Sequence, residues 1–340
     1  MLAFCLLTNG NNGMNNKAFD LLIDESVLPV IEKLRSDELS STFSDCTHYL
    51  ISQIHNMPTW QMAIPVIACM AAGGSIDDGT ILASAWISLN SASEIMDSVE
   101  DKELTADQFL TSPEVATNIA TGLVFTSFQI LTSFRDATIA NQITRILSTC
   151  GLDAAYGQHR DLMQEKSSVD VLLNNYWENI ILKAGSVFRA AAQGGAVAAG
   201  AAESISEALG DYGTALGVML QLIDDCRDAF SYSEQTINWE ISLPLLLYLM
   251  TVGEKNISFP NISTRADWSD ILQKTGVIQT IAELLLQWKS RALESLSSVP
   301  QSRERHILER IPSLILERIP SITNEAVDEY NHRSELSKNH

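Results

Sequence analysis

Residues Gly217 to Asp228 read G-V-M-L-Q-L-I-D-D-C-R-D, and no other stretch constrains the chain as much. Gln221, Asp224, Asp225 and Asp228 stand in an otherwise apolar run. Their i, i+3 and i+4 spacings place them on one side of a helix. Carboxylates in apolar surroundings are costly unless something neutralises them. Hard divalent cations do this, and oxygen ligands with open positions suit Mg²⁺ bridging to a phosphate-bearing substrate. The alternative is a solvated acidic turn or helix cap, and the apolar flanks on both sides weigh against it.

A second acidic run, Asn90 to Asp101, reads N-S-A-S-E-I-M-D-S-V-E-D. Asp97, Glu100 and Asp101 again share a helix face. Two such faces opposed across a helical bundle would form a carboxylate-lined mouth for several Mg²⁺ ions and a diphosphate. Asp77 and Asp78 follow Gly73-Gly74 and mark a helix start, where the dipole favours them.

The dominant hydrophobic period is helical, and strand-like alternation with turn pairs is missing, so the sequence predicts an all-α protein. Helices are expected at about 18–36, 40–55, 60–72, 77–102, 112–133, 136–150, 153–165, 169–202, 204–230, 239–253, 267–274 and 276–298. Residues 1–17 read as a tail, 18–298 as one helical domain and 299–340 as an extension. The extension holds a tandem repeat, I-L-E-R-I-P-S-L at 307–314 and I-L-E-R-I-P-S-I at 315–322. Pro312 and Pro320 are expected to break a continuous helix there. The Ala-rich run from Ala190 to Ala202 reads as a close-packed interior helix.

Hydrophobic residues make up 46% of the chain, enough for a sizeable core. The formal net charge of −20 excludes nucleic acid and an anionic membrane surface as partners. A diphosphate remains compatible if metal ions mediate. The five cysteines, Cys5, Cys46, Cys69, Cys150 and Cys226, are scattered and form no C-x-x-C pair, as expected in a reducing cytosol. No stretch is long and apolar enough to insert stably in a membrane, so a cytoplasmic protein is expected.

At these motifs the chain resembles the all-trans isoprenyl diphosphate synthase superfamily. The 217–228 run matches that family's G-x-x-x-Q-x-x-D-D-x-x-D pattern in full. Gly73-Gly74 precedes the helix that leads to the first acid motif at the family's spacing. Gly157-Gln158-x-x-Asp161-Leu162 is similar to its G-Q-x-x-D-L helix. Tyr176, Lys183-Ala-Gly and the small residues Gly194 to Gly200 are similar to its K-T-A/G helix, and Ser242-Leu243-Pro244 stands at its T-L-P. The resemblance covers roughly residues 57 to 250. It implies the isoprenoid synthase type I fold, a single large antiparallel helical bundle around a central apolar cavity, and a homodimer.

Departures from the family pattern bear on function. Elongating members bind isopentenyl diphosphate through an early G-G-K-R-x-R-P segment. Here the aligned stretch is Thr59-Trp60-Gln61-Met62-Ala63-Ile64-Pro65, with no basic residue. The family's histidines before the first acid motif are Asn90 and Met96, and Lys102-Glu103-Leu104 replaces its following arginines. Ile241 replaces the lysine before T-L-P. The first acid motif is Asp97-Ser98-Val99-Glu100-Asp101 rather than D-D-x-x-D, with Glu100 one turn from Asp97.

The resemblance therefore implies Mg²⁺-dependent ionisation of an allylic prenyl diphosphate. Asp97, Glu100, Asp101, Asp224, Asp225 and Asp228 are the implied metal ligands. Lys183 is the implied cation on the leaving diphosphate, and Gln221 stands near the developing carbocation. Loss of the isopentenyl-binding residues favours a terpene synthase that cyclises or quenches its own cation. A prenyltransferase acting on another acceptor, such as a peptide tryptophan, is the alternative, followed by a degenerate regulatory subunit; ordinary elongation ranks last. Below Asp97, Ser93, Ala92, Leu89 and Trp86 are expected to line the tail pocket. Trp86 would lie roughly 16 Å down the helix, suiting a C15 or C20 tail.

Overall fold

The computed structural model describes residues 15–35, 43–54, 57–105, 107–163, 167–229, 241–260, 262 and 264–317. Their regular structure is helical: α1 (Asn15–Leu34), α2 (Ser44–Ile54), α3 (Thr59–Ala71), α4 (Ile76–Glu100), α5 (Pro113–Leu131), α6 (Ala137–Leu162), α7 (Val169–Ile180), a π-helical turn (Ile181–Gly185), α8 (Ser186–Ala198), α9 (Glu203–Ala229), α10 (Leu243–Thr251), α11 (Arg265–Lys274), α12 (Val277–Ser295) and α13 (Arg303–Leu316). No strand occurs among the described residues, as the sequence period predicts. The chain forms two compact units. One takes the described residues up to Ala154 with Val187–Gly213 and Ser295–Glu309; the other takes Ala155–Ser186, Thr214–Glu294 and the described residues from Arg310 on.

In the first unit α4 is the central element and packs against α1, α3 and α5. Its start is fixed by Ser75, whose Oγ accepts from the Asp78 amide at 3.1 Å and donates to the Asp78 carboxylate at 2.7 Å. The Asp77–Asp78 pair is thus a helix start, stabilised where the dipole is positive. The Ala-rich helix α8 buries Ala190, Ala191, Ala192, Ala196 and Ala198, as its small side chains predict. Trp86 is 2% exposed, donates from Nε1 to the Val187 carbonyl at 2.8 Å and meets the Phe188 ring edge-on.

In the second unit α7 packs against α10 and continues into the π-helical turn. The turn lies where the sequence predicts one uninterrupted helix over about 169–202; such turns accommodate an additional residue without ending the helix. Gly217 rests on it: a Cβ there would stand 2.2 Å from the Ala184 carbonyl oxygen and 3.0 Å from the Gly185 Cα. Only glycine permits that approach.

At two places a helix continues where the sequence predicts a break. A single helix, α6, replaces the pair expected at about 136–150 and 153–165, running straight through Gly151. An interior glycine costs only about 1 kcal/mol relative to alanine, and the buried face of Ile143, Leu147 and Cys150 carries the helix past it.

The second correction is at Pro312, which lies inside α13 rather than ending it. Proline removes the amide that the Leu308 carbonyl would otherwise accept. Tyr212 Oη supplies the missing donor at 2.7 Å, from a fully buried side chain. Pro320 and the rest of the second repeat copy, like residues 1–14 of the expected tail, lie outside the described residues. Tyr212→Phe should cost about 1–3 kcal/mol in urea unfolding, because it leaves a buried carbonyl unsatisfied. In a Pro312→Ala background the restored amide fills that role, so the same substitution should cost clearly less; equal costs in both backgrounds would refute the compensation.

Candidate active site

Both acidic runs lie at the C-terminal ends of their helices. Asp97 and Glu100 occupy the last turn of α4, and Asp101 is its C-cap. Lys102 follows in the left-handed region at φ 61°; its amide and that of Glu103 bond back to the Val99 and Ser98 carbonyls at 3.2 and 2.9 Å. This closing pattern stops the helix directly after the acids. Asp224, Asp225 and Asp228 lie in the final turns of α9, which ends at Ala229. The side chain of Asp228 is outside the described residues. A helix C-terminus carries partial negative charge, so each run holds its carboxylates where the dipole disfavours them. Bound cations would relieve that repulsion.

In the second unit the carboxylate of Asp225 is fixed by three donors. Tyr176 Oη and the Leu243 amide donate to Oδ2 at 2.8 and 3.2 Å, and Gln221 Nε2 donates to Oδ1 at 3.0 Å. Burial, followed by the Asp225 charge, pushes the Tyr176 phenol well above its ordinary range, so Tyr176 stays a donor. Ser242-Leu243-Pro244 thereby acquires a physical role: it delivers the Leu243 amide, at the start of α10, to the acid motif. Arg227 pairs with Asp224 at 3.3 Å, as neighbours at i and i+3 can. Cys226 is fully buried, and burial, reinforced by Asp225 and Asp224, raises its thiol well above the usual value.

Lys183 sits on the π-helical turn. Gly157 makes room for its stem, since a Cβ there would stand 2.8 Å from Lys183 Cγ. The ammonium group then reaches Gln158 Oε1 and, at 3.2 Å, Asp161 Oδ2. Asn179 Nδ2 holds the other Asp161 oxygen. The Gly157-Gln158-x-x-Asp161 spacing is therefore a seat for one lysine, with its charge partly open to solvent. Asp161 and Tyr176 as partners of Lys183 and Asp225 are legible in the sequence only as spacings.

In the first unit, Leu89 and Ala92 are buried, and Ser93 is half-buried with its hydroxyl donated to the Leu89 carbonyl at 3.2 Å. Trp86 is locked into the core by its own hydrogen bond. Sequence reasoning passed over Glu94, one turn before Asp97. Asn90 Nδ2 donates to Glu94 Oε1 at 2.9 Å. Burial pushes the Glu94 carboxyl up to about 7, with a smaller upward contribution from Asp97 and opposition from the Asn90 hydrogen bond. A carboxylic residue at i−3 from the first acid was the available signal.

Mg²⁺ demands oxygen donors and keeps several waters or substrate oxygens, so one or two protein carboxylates suffice for it. Among the described residues no three Asp, Glu, His or Cys side chains gather into a ready-made metal set. The donor chemistry of both runs nevertheless fits: carboxylates only, at helix ends that repel them. No described helix is long and apolar enough to cross a membrane.

Tyr176→Phe should lower stability by about 1.5–3 kcal/mol in urea unfolding, the usual range for a hydrogen bond to a charged acceptor. A loss under about 0.5 kcal/mol would mean that Leu243 and Gln221 hold Asp225 alone. Glu94 predicts a pH effect of defined sign. Its folded value of about 7 exceeds the ordinary 4.5, so the folded state binds the extra proton between those values and stability falls as pH rises through that window. Glu94→Gln removes that slope. Thermal melts from pH 4.5 to 8 should therefore show the variant gaining on the wild type; parallel curves would refute the raised value.

Residues 68–238 match the polyprenyl synthetase family. The decaprenyl-diphosphate synthase of Dictyostelium discoideum is 27% identical over 186 residues, 51% of this chain and 40% of that protein. Heptaprenyl diphosphate synthase component 2 of Bacillus subtilis is 26% identical over 184 residues, 50% of this chain and 53% of that protein. The chain thus spans about half the length of these curated relatives. A crystal structure of a decaprenyl diphosphate synthase from Rhodobacter capsulatus has a TM-score of 0.76 at 18% identity, covering 90% of this chain and 99% of that one. A polyprenyl synthase from Caulobacter crescentus, complexed with calcium and isoprenyl diphosphate, has a TM-score of 0.73 at 22% identity, covering 92% of this chain and all of the other. These likenesses show the fold to be the all-α isoprenyl synthase fold. With the family match over half its residues, the chain belongs to the polyprenyl synthetase family.

Proposed function

We propose that the protein ionises an allylic prenyl diphosphate of C15 or C20 length and that the carbocation is trapped within the same molecule. The observation that carries ionisation is the complete Gln221–Asp228 motif at the C-terminal end of α9, with Asp225 pinned by three donors. Asp97, Glu100, Asp101, Asp224, Asp225 and Asp228 are the residues that would hold Mg²⁺; when bound, it draws negative charge onto the departing diphosphate. The C1–O bond breaks and its electron pair leaves with the diphosphate. Lys183, fixed on its turn, offers a positive charge to the diphosphate oxygens, the electrostatic contribution that usually dominates such steps. Gln221 and Tyr176 keep Asp225 oriented.

Internal trapping is supported by what stands where an isopentenyl diphosphate would bind. Trp60, Gln61, Met62, Ala63, Ile64 and Pro65 are all buried in α3 and carry no charge. A diphosphate requires cations or strong donors. Elongation is the second reading, favoured by the matched relatives, which bear the names of decaprenyl- and heptaprenyl-diphosphate synthases. By family resemblance the proposed assembly is a homodimer.

The deciding experiment incubates the purified protein and Mg²⁺ with geranyl, farnesyl or geranylgeranyl diphosphate, each with and without isopentenyl diphosphate. Products are identified by gas chromatography–mass spectrometry, with an Asp224→Ala/Asp228→Ala control. Hydrocarbon or alcohol without isopentenyl diphosphate, reduced at least about 1000-fold in the control, is the expected result. A longer diphosphate formed only when isopentenyl diphosphate is added would establish elongation instead.

A further inference from the structure

Asn179 has no role in the scheme above. It stands in the last turn of α7, one turn before Lys183, and is 5% exposed. Its Nδ2 donates to Asp161 Oδ1, while Oδ2 of the same carboxylate pairs with the Lys183 ammonium at 3.2 Å. Paired with an ammonium, the Asp161 carboxylate is an acceptor only, so the nitrogen end of the amide must face it. The oxygen end, Asn179 Oδ1, is buried and meets no donor among the described residues. A buried amide oxygen in that state is unfavourable, and an apolar side chain of similar size would avoid it. The bond to Asp161 is what the asparagine supplies and a leucine would not.

That bond falls at the weak point of the lysine seat. The Asp161 and Lys183 side chains are 38% and 29% exposed. An ion pair that open to water fixes little by itself, because both side chains keep rotamer freedom and water competes for their charges. Asn179 ties Asp161 to the buried side of α7. Gln158, 8% exposed, holds the ammonium from another direction. We propose that Asn179 is a positioning residue for Lys183, acting through Asp161, and that it thereby sets how tightly the protein grips the diphosphate group of its substrate. This assignment rests on the reading in which Lys183 meets that diphosphate. The Asn179 amide selects one Asp161 rotamer, and that rotamer selects one place for the ammonium. Without it Lys183 keeps its charge and loses its fixed place. A cation already in place binds an anionic oxygen better than a mobile one, because no ordering cost is added on binding.

The test is a double-substitution cycle read by isothermal titration calorimetry, with inorganic diphosphate and Mg²⁺ as the probe. Asn179→Leu keeps the size of the side chain and removes the donor, and the Asp161 oxygen that it abandons can turn to water. With Lys183 present, the substitution should weaken diphosphate binding on the order of 10-fold, the scale of coupling within one salt-bridge network. In a Lys183→Ala background it should change binding by less than about 2-fold, the margin within which independent sites add. Asn179→Ala carries the same cycle if the leucine variant does not fold. Undiminished binding with Lys183 present overturns the assignment. So does an equal loss in both backgrounds, which would make Asn179 a packing residue only. A wild type that binds no diphosphate, or a Lys183→Ala variant that binds it as the wild type does, overturns the reading of Lys183 itself. A weakened Lys183→Ala beside an indifferent Asn179→Leu overturns only the role of Asn179.

Discussion

Carboxylates at the C-terminal ends of helices are an electrostatic conflict on which much else in this protein turns. Asp97, Glu100 and Asp101 close α4, and Asp224, Asp225 and Asp228 close α9. The exposed carbonyls at those ends repel negative charge. A chain selected for stability alone would place lysine or arginine there. The acids instead leave negative charge at both helix ends, which bound cations would offset.

The surrounding structure manages that conflict. Donors from three separate segments converge on Asp225: the α7 phenol of Tyr176, the α10 amide of Leu243 and the neighbouring amide of Gln221. Arg227 offsets part of the charge of Asp224. Lys183 is held by the Gly157, Gln158 and Asp161 seat on a π-helical turn, and Gly217 allows α9 to lie directly against that turn. The glycines, the turn and the donors together fix these charged groups in place.

The helical class and the two acid runs were legible in the sequence, because i, i+3 and i+4 spacings are a local property of the chain. The start of α4 at Ser75 and the close-packed Ala-rich helix were legible for the same reason. The reading failed where a distant partner changes the local rule. Pro312 should end a helix, and does not, because Tyr212, 96 residues from Leu308, supplies the lost donor. Gly151 should weaken a helix, and the buried face on its N-terminal side carries the helix past it. Glu94 escaped notice because an acidic residue beside an acid motif reads as more of the same; its half-buried setting and its bond to Asn90 depend on the fold.

By itself, the sequence determined the all-α class, the family and the residue types available for chemistry, including the missing basic residues of the 59–65 segment. These depend on composition and on spacings of a few residues. Only the tertiary structure decided that Lys183 stands on a π-helical turn, that Asp225 is bonded to Tyr176 49 residues away, and that Trp86 is tied to Val187 101 residues away. Those pairings depend on how closely whole helices approach, and that distance is set by packed side chains and glycines far apart in the chain rather than by any local spacing.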